Sequence, residues 1–284
     1  IIGGGNLNNS NPLIMGDANS LLVLDGITTV KDIKATASAN PGKGIKVNES
    51  SSLGTMELSA TSYLDIAENK TFGGLINLQN NADLIISGSG EYTGNITLAG
   101  GRFSVLNNKD LTGSLSLSAN SELNVPQGKD LVINQSGNFQ LNQKTLAFSG
   151  GGKLTFKNAI NISGGELQAG DGTLEFNAGT SVAKLTLDNT TLVLKDDLTV
   201  GEIFKTTGTK PTLQFNNNSL DLTSDNVQMQ LGTSLDLNNI TTSEKTALVL
   251  SDDLTLSRST AFTLGSINLQ NNALSLGSAE SDLT

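Results

Sequence analysis

Two pairs of adjacent carboxylates, Asp196-Asp197 and Asp252-Asp253, are the residues of this 284-residue sequence best suited to chemistry. They stand at equivalent points of two related phrases, "LVLKDDLTV" (192–200) and "LVLSDDLTL" (248–256), and Asp171 sits in a Gly-rich stretch, "AGDG". Glycoside cleavage needs two carboxyl groups held across a sugar, so these acids are candidates for polysaccharide hydrolysis or elimination. The other parts of such a site are missing. There is no Trp to stack a sugar ring, and Arg102 and Arg258 are the only arginines to meet an acidic one. Acids at a turn also cap backbone N–H groups and keep strand edges charged and unattractive to other strands. That is the reading we favour, and the chain is expected not to be an enzyme.

The remaining chemistry is excluded more directly. With no His, the chain lacks the commonest general base and metal ligand. With no Cys, it has neither a thiolate nucleophile nor a disulfide. Ordinary zinc sites need one or both. "GDGTLEF" is a fragment of a calcium-binding roll repeat and not a run of it. "SGGGKL" (149–154) lacks the Ser/Thr and the helix of a phosphate loop, and "GSGEYTG" (88–94) lacks dinucleotide spacing. Both read as turns. Thr97, Thr155, Thr186, Thr199 and Thr255 fall on strand-like stretches but too irregularly to promise an ice-binding ladder. No catalytic, cofactor-binding or metal residue is therefore expected, and no cofactor.

Acids outnumber bases 27 to 17, for a net charge of −10, which disfavours nucleic acid as a partner. No stretch reaches the roughly 18 consecutive apolar residues of a membrane helix, and membrane insertion is not expected. The opening "IIGGGNLNNS" has no Met and no signal-peptide pattern. We expect the chain to be a piece of a longer polypeptide.

The residues between these candidates carry a period. "NKTFGG" (69–74), "SGEYTG" (89–94), "NKDLTG" (108–113) and "GKDLVI" (128–133) align on Phe72, Tyr92, Leu111 and Leu131, at steps of 20, 19 and 20 residues. "INL" (76–78), "ITL" (96–98) and "LSL" (115–117) keep the same step. "INLQNNADL" (from Ile76) returns as "INLQNNALSL" (from Ile267), an offset of 191 residues that is close to ten units; the Asp-pair phrases lie 56 apart, close to three. A period near 20 points to a solenoid. Apolar residues alternate within each unit, as at Leu174/Phe176, Leu185/Leu187 and Leu192/Leu194, which is the pattern of a half-buried strand. A stack of antiparallel hairpins is the competing arrangement, but it favours Asn-Gly or Asp-Gly turns. Asn-Gly is absent, and Asp-Gly occurs only at 25–26 and 171–172.

We therefore expect an all-β parallel β-helix with coils of about 19–20 residues, a single segment over 1–284 that is less regular in 1–68 and clearer in 69–284. Roughly fourteen coils at ~4.8 Å each would make a rod on the order of 65 Å. "QNNA" (79–82, 270–273) and "NNN" (216–218) are expected corners, where Asn amides can stack in ladders.

Repeats such as "GNITLAGGRFSVLNNKDLTGSLSLSANSELNV" (94–125) and "GGELQAGDGTLEFNAGTSVAKLTLDNTTLVL" (164–194) resemble the repetitive regions of large secreted bacterial surface proteins. Autotransporter passengers and filamentous-haemagglutinin-like adhesins are the named families. The resemblance implies a right-handed β-helix at the bacterial cell surface, acting as an extracellular stalk, fibre or adhesin, and carries over no site residue. The expected partners are flanking coils of the same chain or other copies stacked end to end. The alternatives are an adhesive face for a glycan or host receptor and a self-assembling filament subunit. An adhesive site would interrupt the period, and 31–52 and 200–212, around Pro41 and Pro211, are the candidates.

Overall fold

The computed structural model describes residues 5–7, 10–26, 28–79, 81–208, 211–232, 239–256, 261–276 and 282–283. Arg258 lies outside them. The described residues contain strands and no helix, and the strands stack in parallel as a β-solenoid of about 12 turns. The chain divides into two compact units, Ile1–Gln135 and Ser136–Thr284.

In the first unit the chain passes alternately through two parallel sheets. Thr28–Ala35, Ser51–Leu58 and Thr71–Leu78 follow one another in one sheet. Leu21–Leu24, Gly44–Val47, Ser62–Ile66, Asp83–Gly88, Arg102–Val105 and Ser121–Asn124 follow one another in the other. Among the described residues of the unit the strand pairings are parallel, which rules out the hairpin stack there. Side chains alternate in and out, and the inward ones form ladders one coil apart. Ile33, Met56, Ile76, Ile96 and Leu115 are successive register partners, and none is more than 1 % exposed. Burial of each such side chain is worth about 1.5–3 kcal/mol, and it exists only because the next coil is there.

The strands Ser51–Leu58 and Thr71–Leu78 bend where the register shifts, between Ser52 and Thr55. Gly54, Gly74, Gly94 and Gly113 occupy this corner in successive coils. At each, a Cβ would collide with backbone of the coil before: Lys31 O, Leu53 O, Gly74 O and Gly94 O respectively. The repeated Gly of "TFGG", "EYTG" and "DLTG" is thus a condition of coil-to-coil contact. Tyr92 closes the same corner from inside, its hydroxyl 3.0 Å from Gly74 O and 3.2 Å from Asn95 O.

The second unit repeats the scheme. Ile160–Ala169, Thr180–Asp188, Leu198–Thr207, Gln228–Leu231, Ala247–Leu250 and Ser266–Asn268 pair in that order. Leu146, Leu167, Leu185, Phe204, Met229, Leu248 and Ile267 form one inward ladder. In a second ladder Phe156 stacks on Phe176, with ring centroids 5.4 Å apart and planes 16° from parallel.

The period departs from the expected step in three ways. Partner steps run from 18 residues (Leu174 to Leu192) to 25 (Phe204 to Met229), so there are fewer coils than fourteen. Leu111 pairs with Ile133 and not with Leu131, which pairs with Lys109. The corner before Asp130–Ile133 runs from 125 to 129, two residues longer than the 106–108 corner before Lys109–Leu111. It closes with a bond from Lys129 N to Pro126 O. An even insertion slides the register yet keeps the inward face inward. The Asp-pair phrases are also not coil equivalents. Leu192 lies in the Leu174–Leu213 column, whereas Leu248 follows Met229 in another. Likewise Ile76 lies fully buried between Met56 and Ile96, and Ile267 ends its ladder 45 % exposed. The recurring phrases write a strand, a corner and a strand; they do not mark whole numbers of coils.

Candidate functional site

The paired carboxylates face backbone, and not each other across a cleft. Asp196 Oδ2 accepts from Gly179 N at 3.0 Å and its Oδ1 from Asp197 N at 2.8 Å. Asp197 Oδ1 accepts from Ser219 N at 2.8 Å and from Ser219 Oγ at 2.9 Å, one coil further on. These two bonds hold the Asp197 carboxyl below its ordinary pKa, because they are made to the charged form. The second pair does the same work. Asp252 Oδ1 accepts from Asp253 N at 2.8 Å, and Asp253 Oδ1 from Ala273 N at 2.7 Å. In both, the first acid folds onto the next residue and the second reaches the following coil. Asp171 is exposed at a corner. Among the described residues no group of three His, Cys, Asp or Glu stands close enough to hold a metal ion.

The five threonines scatter over separate columns. Thr97 bonds Ser116 at 3.1 Å, Thr186 donates to Glu166 at 2.6 Å, and Thr199 pairs in register with Ser181 and Asp221. Thr155 is buried beside Glu175, and Thr255 pairs with Ser275. No two of them stack, so the regular threonine face needed to order ice is not formed by these residues.

The described residues of the expected corners, which leave out residue 80, do form corners, but the amides act differently from a continuous ladder. Asn40 donates to Asn19 at 3.0 Å as a ladder would. Asn218 donates instead to Leu194 O, and Asn272 to Leu250 O, both at 3.0 Å. Such staples satisfy a carbonyl of the preceding coil, which an amide–amide ladder leaves to other partners. Asn69, Asn81, Asn189 and Asn216 take the left-handed backbone conformation that tight corners require.

Among the described residues, neither candidate stretch leaves the coil. Residues 36–43 are tied on both sides, by Ala39 N to Thr61 O and Asn40 N to Ala18 O, each 2.8 Å. Most of 200–212 belongs to the strand Leu198–Thr207, with 209–210 outside the described residues.

Two features escaped the sequence. Lys109 is buried, with its Nζ on the carbonyls of Gly88 and Gly90. It stands two residues from Leu111, on the same side of the strand, and that spacing could have revealed it. A charged column forms an open groove of about 510 Å³, where Lys144, Glu166, Lys184 and Glu202 come together. Lys184 pairs with Glu202 at 3.3 Å.

No protein family, curated protein or solved structure matches the chain.

Proposed function

We propose that this chain is a structural segment of an extracellular bacterial stalk, fibre or adhesin, whose work is done by the stack of coils itself. One observation carries the proposal. The side chains best suited to catalysis, Asp196, Asp197, Asp252 and Asp253, are engaged in tying backbone N–H groups within and between coils. The ion pairs act in the same direction. Lys70–Glu49 at 2.5 Å and Arg102–Asp83 at 2.8 Å each join neighbouring coils. Exposed pairs of this kind add only about 0–1 kcal/mol each, so stiffness rests on the buried ladders. The partners are flanking coils or further copies, which would cover Ile267 and complete its ladder; no role is assigned to nucleic acid or membrane insertion.

Antibody labelling of intact and permeabilised source cells tests the location. Signal on intact cells is expected; signal confined to permeabilised cells would contradict a surface role.

The second reading is an adhesive face for a glycan or host receptor. The groove at Lys144, Glu166, Lys184 and Glu202 favours it, because both signs of charge line one open surface. Glycan-array binding that is lost in a Lys184→Ala, Glu202→Ala double variant would establish this reading over a purely structural one.

A further inference from the structure

Lys109 sits in the first unit at a place where an apolar side chain is the rule. Its strand, Lys109–Leu111, turns Lys109 and Leu111 inward, and Lys109 is 5 % exposed. The next coil puts Leu131 in register with it. A buried ammonium is costly unless its N–H groups find acceptors. Here Nζ donates to Gly90 O at 2.6 Å and to Gly88 O at 2.7 Å, both in the preceding coil. Asn107 Nδ2 steadies the Gly88 carbonyl with a bond of 3.0 Å. Burial lowers the pKa of the amine, and the nearby charges of Asp65 and Glu91 work against that shift.

The receptor is made of backbone. Gly90 has no room for a Cβ, which would collide with Ala67 O, and Gly88 takes a left-handed conformation with φ of 73°. Two carbonyls are thereby turned toward one point, and the stem of Lys109 is buried on the way to it. The stretch "GSGEYTG" fails as a dinucleotide loop, which would present N–H groups to an anion. It does the opposite and presents carbonyl oxygens to a cation.

We propose that the Gly88–Gly90 corner is a binding site for a primary alkylammonium group, occupied in the intact protein by Lys109. Recognition requires both features of the ligand. N–H donors must reach the two carbonyls, which a quaternary ammonium cannot do. An alkyl stem must fill the buried space that the Lys109 side chain takes up, which a bare sodium ion cannot do.

Lys109→Gly removes the equivalent of n-butylammonium and tests the proposal by thermal unfolding of the full chain. The variant is expected to melt below the wild type. n-Butylammonium chloride should raise its Tm with the logarithmic concentration dependence of a ligand that binds only the folded state. n-Butanol, tetramethylammonium chloride and sodium chloride at the same concentration should raise it less, and the wild type should respond to none of them selectively. Lys109→Met fills the same buried space without an amine, and should melt below the wild type and ignore butylammonium. Equal rescue by butanol or by every salt would overturn the proposal, as would a Lys109→Met variant as stable as the wild type. Should Lys109→Gly not fold, Lys109→Ala is refolded with n-propylammonium or n-propanol. A higher yield with the amine supports the site, and equal yields overturn it.

Discussion

The Gly94 corner lies directly on the Gly74 corner of the preceding coil, so close that a Cβ at 94 would overlap both the carbonyl oxygen and the amide nitrogen of Gly74. The obstacle is backbone on both sides and cannot rotate away. Gly94→Ala should therefore destabilise the first unit by about 3 kcal/mol, the upper end of ordinary overpacking. Gly201, which has nothing within 4 Å of its missing Cβ, is the control; Gly201→Ala should stay within about 0.5 kcal/mol of wild type. Urea midpoints of the two variants check the difference.

Tyr92 packs against Phe72 with ring centroids 6.4 Å apart and planes tilted by 53°, and burial pushes its pKa well above the ordinary value of 10.0. The unfolded chain ionises first as pH rises, so stability is full below pH 10 and falls above it. Tyr92→Phe loses a hydrogen bond, at about 0.5–1.5 kcal/mol near neutral pH, but lacks this alkaline loss. The two stability curves should converge above pH 10 in urea titrations.

Asp197 shifts the other way. Its bonds to Ser219 keep it ionised below the ordinary value of 3.8, so their contribution is present above that pH and fades below it as the folded-state carboxyl protonates. The gap in Tm between wild type and Asp197→Ala should be constant at neutral pH and narrow as pH drops below 3.8. Melting curves from pH 6 to pH 2 check it.

The duplicated phrase supplies an internal comparison. Ile76 is fully buried between two coils, and Ile267 is 45 % exposed. Ile76→Ala should cost about 2–5 kcal/mol, as large-to-small changes in a packed core do. Ile267→Ala should cost under ~1.5 kcal/mol, since less apolar area is lost from burial. Chemical denaturation of both variants compares identical substitutions in nearly identical sequence.

What the sequence made legible was local. Phe72, Tyr92 and Leu111 are register partners at the expected steps, and so are Ile76, Ile96 and Leu115. Alternation identifies the strands because in-and-out placement is a backbone property. The coil count was less legible, because corners such as 125–129 gain residues in pairs without disturbing the inward face. The tying role of Asp197 and Asp253 depends on Ser219 and Ala273, 22 and 20 residues away, and no local pattern announces those partners. Lys109 was hidden by its type, since a lysine in "NKDLTG" suggests solvent although its spacing from Leu111 puts it in the core.

A time course of proteinase K digestion of the native chain measures how firmly the coils within 28–133 and within 160–207 bury one another. Opening a strand in the middle of the stack requires breaking ladders on both sides, so cleavage there should follow the small population of opened molecules. Fragments spanning these coils are expected to outlast the urea-denatured chain by orders of magnitude. Cleavage inside those coils at a rate near that of the denatured chain would mean that the coils do not protect one another.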